Sequence, residues 1–484
     1  MRPRDIYLLN PKELSPEVIA VAFAKTSRSP ESFREIAAGL TDEKSAEFHD
    51  KWVVGYGHAS VAEHAVLHLA LENVSRLAIE SIESNRLASY TEKSTRYQVF
   101  DRDAYCTPSN IAASRQADLY RDTIHLLFDT YFASIEPVRA VILKKYPRHE
   151  NENEKKYEGR IRSKWIDNCR YLLPTATLAN VGMTANARVL EHAISKLMSH
   201  PLEEVREIGA EVKRVAQGEV PTLVKYANCS EYLARQIPQG RYAVRNVESY
   251  RDASRFEIRN EGAPIEAVKL VAYDRDAEVK VVAACLYRAG GIDFEQALAQ
   301  ANAMTVEQRR EAIGAALAER GEFDVPLREL EHTLLTLDCV MDQGAYFDVK
   351  RHRIMTQTPQ PLTAELGYAA PRAIVEAGFA AEYNRALEAA GRAYREIARE
   401  FPHEAAYVVP NAYNRRVLLT LNLRELFHFT HLRGAPNGHF AYRRIALKAY
   451  EIAQATYPVF APFMRCEAYP SSTEIEHEFF TRTA

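Results

Sequence analysis

Two short stretches hold most of the side chains that could do chemistry in this 484-residue chain. The first runs Ser84-Asn85-Arg86-Leu87-Ala88-Ser89-Tyr90-Thr91-Glu92-Lys93-Ser94-Thr95-Arg96-Tyr97. The second runs Arg351-His352-Arg353-Ile354-Met355-Thr356-Gln357-Thr358-Pro359-Gln360-Pro361. In the first, Glu92, Ser94 and Arg96 gather around a turn, and a hydroxyl two residues before an arginine suits a phosphate or a carboxylate. In the second, Arg351, His352 and Arg353 are consecutive. Their side chains must diverge, so they could line an extended ligand such as a dinucleotide but cannot all meet one atom. Two further sets, Asn186/Arg188/His192 and Asn422/Arg424/His428, share the spacing Asn-x-Arg-x3-His. Near a helix start such groups sit at the positive end of a dipole, which suits a pyrophosphate. Each pattern alone also has an ordinary reading: a solvated basic face for Arg-His-Arg, a helix cap for Asn-x-Arg. His64 and His68 lie where alternating apolar residues predict a strand. They lack a third ligand or an H-E-x-x-H frame, so satisfied polar histidines are expected there rather than a metal site.

The elements that must position these groups recur. Glu63-His64 precedes the first stretch and Glu331-His332 precedes the second at nearly the same distance, and an Asn-x-Arg set follows each. Ordered recurrence of three signatures predicts a tandem duplication, with halves at 1–250 and 251–484. The joint is expected near Gly240–Ala263, where charge and glycine crowd and apolar residues thin out. The halves also start alike: Ile6–Asn10 is an apolar run before a helical pattern opened by Ser15-Pro16, and Val268–Asp274 is a strand candidate before Ala277. A strand from Ala65 and a helix from Ser75 to Arg86 would deliver the first stretch. A strand from Thr333 and a helix capped by Asp342 would deliver the second. Leu419, Leu423, Leu426 and Phe427 would form the apolar face of a late helix, with Arg424 and His428 sharing another. Residues 146–164, dense in charge, have no counterpart in the second half and are expected as a surface insertion.

Composition narrows the classes. The chain is 47% hydrophobic and 26% charged, ordinary for globular domains with their own cores. A formal charge of −3 gives no bulk attraction to nucleic acid or anionic membrane. The six cysteines are scattered without a C-x-x-C pair, as expected for reduced cysteines of a cytoplasmic protein. No signal peptide and no membrane span are expected. No G-x-G-x-x-G after a strand, no P-loop and no nucleophile elbow occurs, so the common nucleotide and hydrolase folds are disfavoured.

Together the motifs resemble the flavin-dependent thymidylate synthase family, whose signature is Arg-His-Arg-x2-Ser-x4-Ser-x-Arg. That signature is preceded by His-x-[Ser/Thr]-x2-Glu-His and followed by Arg-x3-Pro and Asn-x-Arg-x3-Asn/His-x4-Arg. His58, Ser60, Glu63 and His64 fit the opening element, Arg170 and Pro174 the third, and Asn186, Arg188 and His192 the last. In the first half Ser84-Asn85 replace Arg-His, and Leu197 stands where the last arginine belongs. The second half keeps Arg351-His352-Arg353, Asn422, Arg424, His428 and Arg433. There Pro361 and Thr363 replace Ser and Arg, Pro326 and Arg328 replace the first His and Ser/Thr, and Ala406 replaces the arginine before Pro410.

The resemblance implies two tandem copies of a mixed α/β (α+β), helix-rich unit. It implies FAD as cofactor, deoxyuridine monophosphate (dUMP) as substrate, and methylenetetrahydrofolate and NADPH as co-substrates. It would place Arg351, His352, Arg353, His58, Ser60, Glu63 and both Asn-x-Arg-x3-His sets on flavin. Glu92, Ser94, Arg96 and Arg170 would hold the nucleotide, and Arg433 would act catalytically on the uracil ring. Family members are homotetramers, so one duplicated chain should imitate a dimer and a homodimer the tetramer, with Arg96 and Arg433 approaching one ligand. The alternatives are a flavin or nucleotide binder that has lost transfer, and a structural partner of an intact synthase.

Overall fold

The computed structural model describes residues 5–55, 57–236 and 266–483. The expected joint at Gly240–Ala263 lies outside them. Each half is built on one small antiparallel sheet. In the first half β1 (Val66–Ser75), α1 (Arg76–Ile82) and β2 (Ser89–Glu92) are followed by α2 (Ala117–Lys145) and α3 (Glu154–Cys169). Then come β3 (Leu178–Asn186), α4 (Ala187–Met198) and α5 (Glu203–Ala216), and the strand order is β1-β3-β2. The second half repeats the plan: β4 (Val268–Tyr273), α6 (Ala277–Ala289), β5 (Leu334–Asp342), α7 (Gln343–Val349) and β6 (Thr356–Pro359) come first. After them run α8 (Ala380–Ile397), β7 (Asn414–Asn422), α9 (Leu423–Gly434), α10 (Phe440–Thr456) and α11 (Ser472–Phe479), with order β4-β5-β7-β6. The register repeats as well: Val66 faces Asn186 and Ser89 faces Thr184, as Leu334 faces Asn422 and Thr356 faces Thr420. A one-residue slip would invert every side chain, so matched registers set equivalent groups at equivalent places.

Local chemistry accounts for the element ends. Ser75 and Asp342 cap α1 and α7 by accepting from Ala78 N and Ala345 N, and Asn186 and Asn422 cap α4 and α9 through Val189 N and Glu425 N. Three expectations change. Ile6–Asn10 forms no strand, and Ile6 and Leu8 are 85% and 92% exposed, so β1 lacks the neighbour that β4 gives β5. Leu419 lies on β7 rather than on α9, because Asn422 ends the strand and caps the helix, which starts only at Leu423. His64 ends a 3-10 turn (Ala59–His64); of the two histidines only His68 is in the strand, where its Nδ1 is 2.9 Å from Thr184 Oγ1. The insertion is itself mostly helix: α3 buries Ile161, Trp165 and Ile166 against α2 and leaves its charged face outward.

The halves are joined by backbone. Thr175 N donates to Val409 O and Asn411 N to Leu173 O, both at 3.0 Å; Ala176 N donates to Tyr407 O and Ala412 N to Tyr171 O, also at 3.0 Å. The bonds exchange partners between equivalent positions of the two halves, around the bridge of Pro174 with Pro410. One contiguous apolar core runs through both halves. Among the described residues no helix is long and apolar enough to cross a membrane.

Candidate active site

The C-terminal ends of α7 and α9 and the loop after β2 meet at the junction of the halves. Arg96 forms a two-pronged pair with Asp167 of α3, at 2.8 and 2.9 Å, and its Nη1 donates to Tyr442 Oη at 3.3 Å. Arg433 lies over the ring of the same Tyr442, 5.2 Å from its centroid. Asp348 is 3.7 Å from Arg433 and 3.6 Å from Arg351. Arg351 then reaches Glu92 at 3.0 Å, and Glu92 is also paired with buried Arg76 at 2.5 Å. A continuous polar chain therefore runs from Asp167 through Arg96, Tyr442, Arg433, Asp348 and Arg351 to Glu92. It crosses the boundary between the halves twice.

Each link has a reason in local geometry. Ser94 Oγ accepts from Arg96 N at 3.1 Å, which closes the turn that aims Arg96. Arg170 is 3% exposed and donates to Thr95 Oγ1 at 3.1 Å, while its Nε and Nη2 have no hydrogen-bond partner among the described residues. A buried cation with free donors is poised for an anion. His352 is buried beneath Arg433: its Nδ1 is 2.8 Å from Glu425 Oε1, and its Nε2 accepts from Arg433 Nε at 2.9 Å. Only the tautomer with the proton on Nδ1 serves both bonds. Burial, aided by the Arg433 charge, pulls His352 down to about 3, so the ring stays neutral. Burial pushes Glu425 up to about 7, against the opposing pull of His428 and Arg424.

A cavity of about 460 Å³ opens beside this chain, lined by Asn422, Arg424, Glu425, His428 and Glu331. Arg424 pairs with Glu331 at 2.7 Å, and Arg320 Nη1 is buried without a hydrogen-bond partner among the described residues. Phe323, Val325 and Ile354 form an exposed apolar wall. A smaller cavity of about 230 Å³ lies between the two motif stretches, among Ser84, Asn85, Arg86, Lys350, His352 and Arg353. Arg353 donates to Arg86 O at 3.1 Å.

A family model described as thymidylate synthase complementing protein matches residues 10–222 and again residues 269–459. The chain belongs to this family. It carries the family unit twice, in tandem. It is 33% identical to a UPF0159 protein of Chlamydia muridarum over 90% of this chain and 83% of that one. It is 27% identical to UPF0159 protein Ta1429 of Thermoplasma acidophilum over 87% and 89%. A flavin-dependent thymidylate synthase of Clostridium tetani is 28% identical over 45% of this chain and 84% of its own length, about one copy.

Within this two-copy member of the family the motif residues divide into two groups. Arg96, Arg170, Glu92, Ser94, Arg351, His352 and Arg433 gather at the junction, and Asn422, Arg424 and His428 line the adjoining cavity. The first-copy set does not join them. His58, Ser60, Glu63, Arg188 and His192 are exposed on the first half and line none of the three larger cavities, and Arg188 pairs with Glu63 as Arg424 does with Glu331. Asn186 is spent on capping α4. The motifs did not point to Asp167, Asp348, Glu425 or Tyr442. Asp348 precedes Arg351 by one helical turn and Glu425 follows Arg424, so spacing could have suggested these two; Asp167 and Tyr442 are brought in only by the tertiary fold.

Proposed function

We propose that the chain is a flavin-dependent thymidylate synthase that converts dUMP to thymidine monophosphate at a crevice shared by its two copies. The observation that carries this reading is the approach of Arg96 and Arg433 to one tyrosine, Tyr442. The first copy lacks the final arginine and the second lacks the Ser-x-Arg loop, and each supplies what the other lost.

In this reading Arg170, with two free buried donors, and the Ser94–Arg96 turn hold the nucleotide phosphate. Arg433 faces the uracil ring, where a fixed cation stabilises negative charge as C5 becomes nucleophilic. His352 holds Arg433 by its Nε and Asp348 pairs with its Nη1 at 3.7 Å, so little reorganisation remains for the reaction. The cavity beside Arg424 and His428 fits the tricyclic ring of a flavin: one wall is apolar, and Arg320 offers an unused donor. Its carboxylates, Glu322, Asp324, Glu331 and Glu425, suit the ring better than the pyrophosphate, which Arg351 and Arg353 would serve. Reduced FAD, when bound, supplies the hydride that completes the methyl group taken from methylenetetrahydrofolate.

A binder without transfer is the second reading, favoured by one observation: Asp167, Tyr442 and Asn437 O already occupy Arg96. The deciding assay is tritium release from C5-labelled dUMP with FAD, NADPH and methylenetetrahydrofolate. Release above background is expected; none at saturating FAD would leave only the binder.

A further inference from the structure

A cavity not used above, about 430 Å³, lies between α3, which the second half lacks, and the C-terminal elements of the second half. The first motif stretch reaches it through Arg96 and Tyr97. Six cationic side chains line it, Arg96, Lys145, Arg160, Lys164, Arg372 and Arg443, against the carboxylates Asp167, Glu376 and Glu478. Two of the carboxylates are engaged, Asp167 by Arg96 and Glu478 by Lys145 at 3.8 Å. Arg160 turns to Glu152, outside the cavity. Among the described residues Lys164, Arg372 and Arg443 have no carboxylate at ion-pair distance.

These three cations come from separate parts of the chain, and each is held in place. Arg443 on α10 is 7% exposed; its Nε donates to Gly434 O at 3.1 Å, and both terminal nitrogens are left to the cavity. Arg372 is fixed by His477 O and Phe480 O, each at 2.9 Å. Lys164 Nζ stands 4.0 Å from the centre of the Tyr146 ring. Burial lowers Lys164 and Arg443 below their ordinary values, so their desolvated surroundings disfavour both charges and an anion beside them would relieve this. Three cations from separate parts of the chain can each take a different oxygen of a run of phosphates, and arginine forks suit phosphate oxygens. Phe479, partly buried and stacked on Phe440 at 4.8 Å, gives the chamber an apolar side on which a base could lie.

We infer that this cavity is a binding site for a polyphosphate-bearing small molecule of the nucleoside di- or triphosphate class, separate from the crevice at Arg433. The inference does not depend on the synthase reading. Its occupant would touch that crevice only through the Arg96–Asp167 pair.

Calorimetric titration of the flavin-free full chain with inorganic tripolyphosphate, at fixed ionic strength, tests it. One equivalent per chain should bind, and Arg443→Gln and Lys164→Gln should each weaken it by about tenfold or more, the loss of one charge-assisted contact. dUMP affinity of Lys164→Gln measured in parallel should change by less than about twofold, since Lys164 touches neither Arg433 nor the helix end that carries it, whereas Arg443 holds Gly434 O beside Arg433. Absent binding, or binding untouched by both substitutions, overturns the site. Equal loss of dUMP affinity overturns its separateness. Should Arg443→Gln lose its thermal transition, the half-buried Lys164→Gln decides alone.

Discussion

His352 engages both ring nitrogens, and this gives Glu425 control over Arg433. Above about pH 7 the Glu425 carboxylate accepts from Nδ1, and Nε2 is free to accept from Arg433. Below it the protonated carboxyl donates to Nδ1, the ring proton moves to Nε2, and that proton opposes the Arg433 Nε–H. dUMP should therefore bind more weakly at pH 6 than at pH 8, and Glu425→Gln should remove most of the difference; calorimetry at the two pH values checks this. Stability carries the opposite sign. Glu425 titrates higher in the fold than its ordinary 4.5, so the folded chain holds that proton more tightly. Its contribution is full below pH 4.5 and is lost as pH rises to about 7. Urea unfolding of Glu425→Gln should show a flatter limb across that window. Arg96→Ala should weaken dUMP binding by about 1.5–3 kcal/mol, the scale of a lost charge-assisted contact, and unchanged affinity would remove Arg96 from the nucleotide site.

At the scale of elements, the strand–helix–strand units were legible because their signals are local. Alternation marked β1 and β5, Ser75 and Asp342 marked the helix starts, and the Asn-x-Arg sets marked α4 and α9. What the sequence hid depends on distant partners. Ile6–Asn10 has the composition of an edge strand, yet nothing in its own residues says whether β1 will accept it. Residues 146–164 read as surface because their charges are plentiful, whereas three apolar residues on one side of α3 hold that helix against α2. Close packing gives a test here. Gly391 of α8 faces Tyr413, and an added Cβ would meet its Oη at 2.5 Å. Tyr413 Oη is fixed by donating to Leu387 O at 2.8 Å, so it cannot easily yield. Gly391→Ala should lower stability by about 1–3 kcal/mol despite alanine's better helix propensity, as chemical denaturation would show. Asn422→Ala, which removes the α9 cap, should cost about 1 kcal/mol and misplace Arg424 at the start of that helix.

Across the whole molecule, the halves share backbone hydrogen bonds and one core, so neither half has a complete interior of its own. Calorimetric unfolding should show a single transition; two resolved transitions would mean the halves fold independently. The Pro174–Pro410 junction has a further consequence. A crevice made from separate subunits comes apart on dilution, and any change in its lining appears on both sides at once because the subunits are identical. Here Arg96 and Arg433 are tethered on a single polypeptide, so their encounter is intramolecular and does not depend on protein concentration. The tether also frees each copy from mirroring its twin, and leucine could settle at position 197 while arginine stayed at 433.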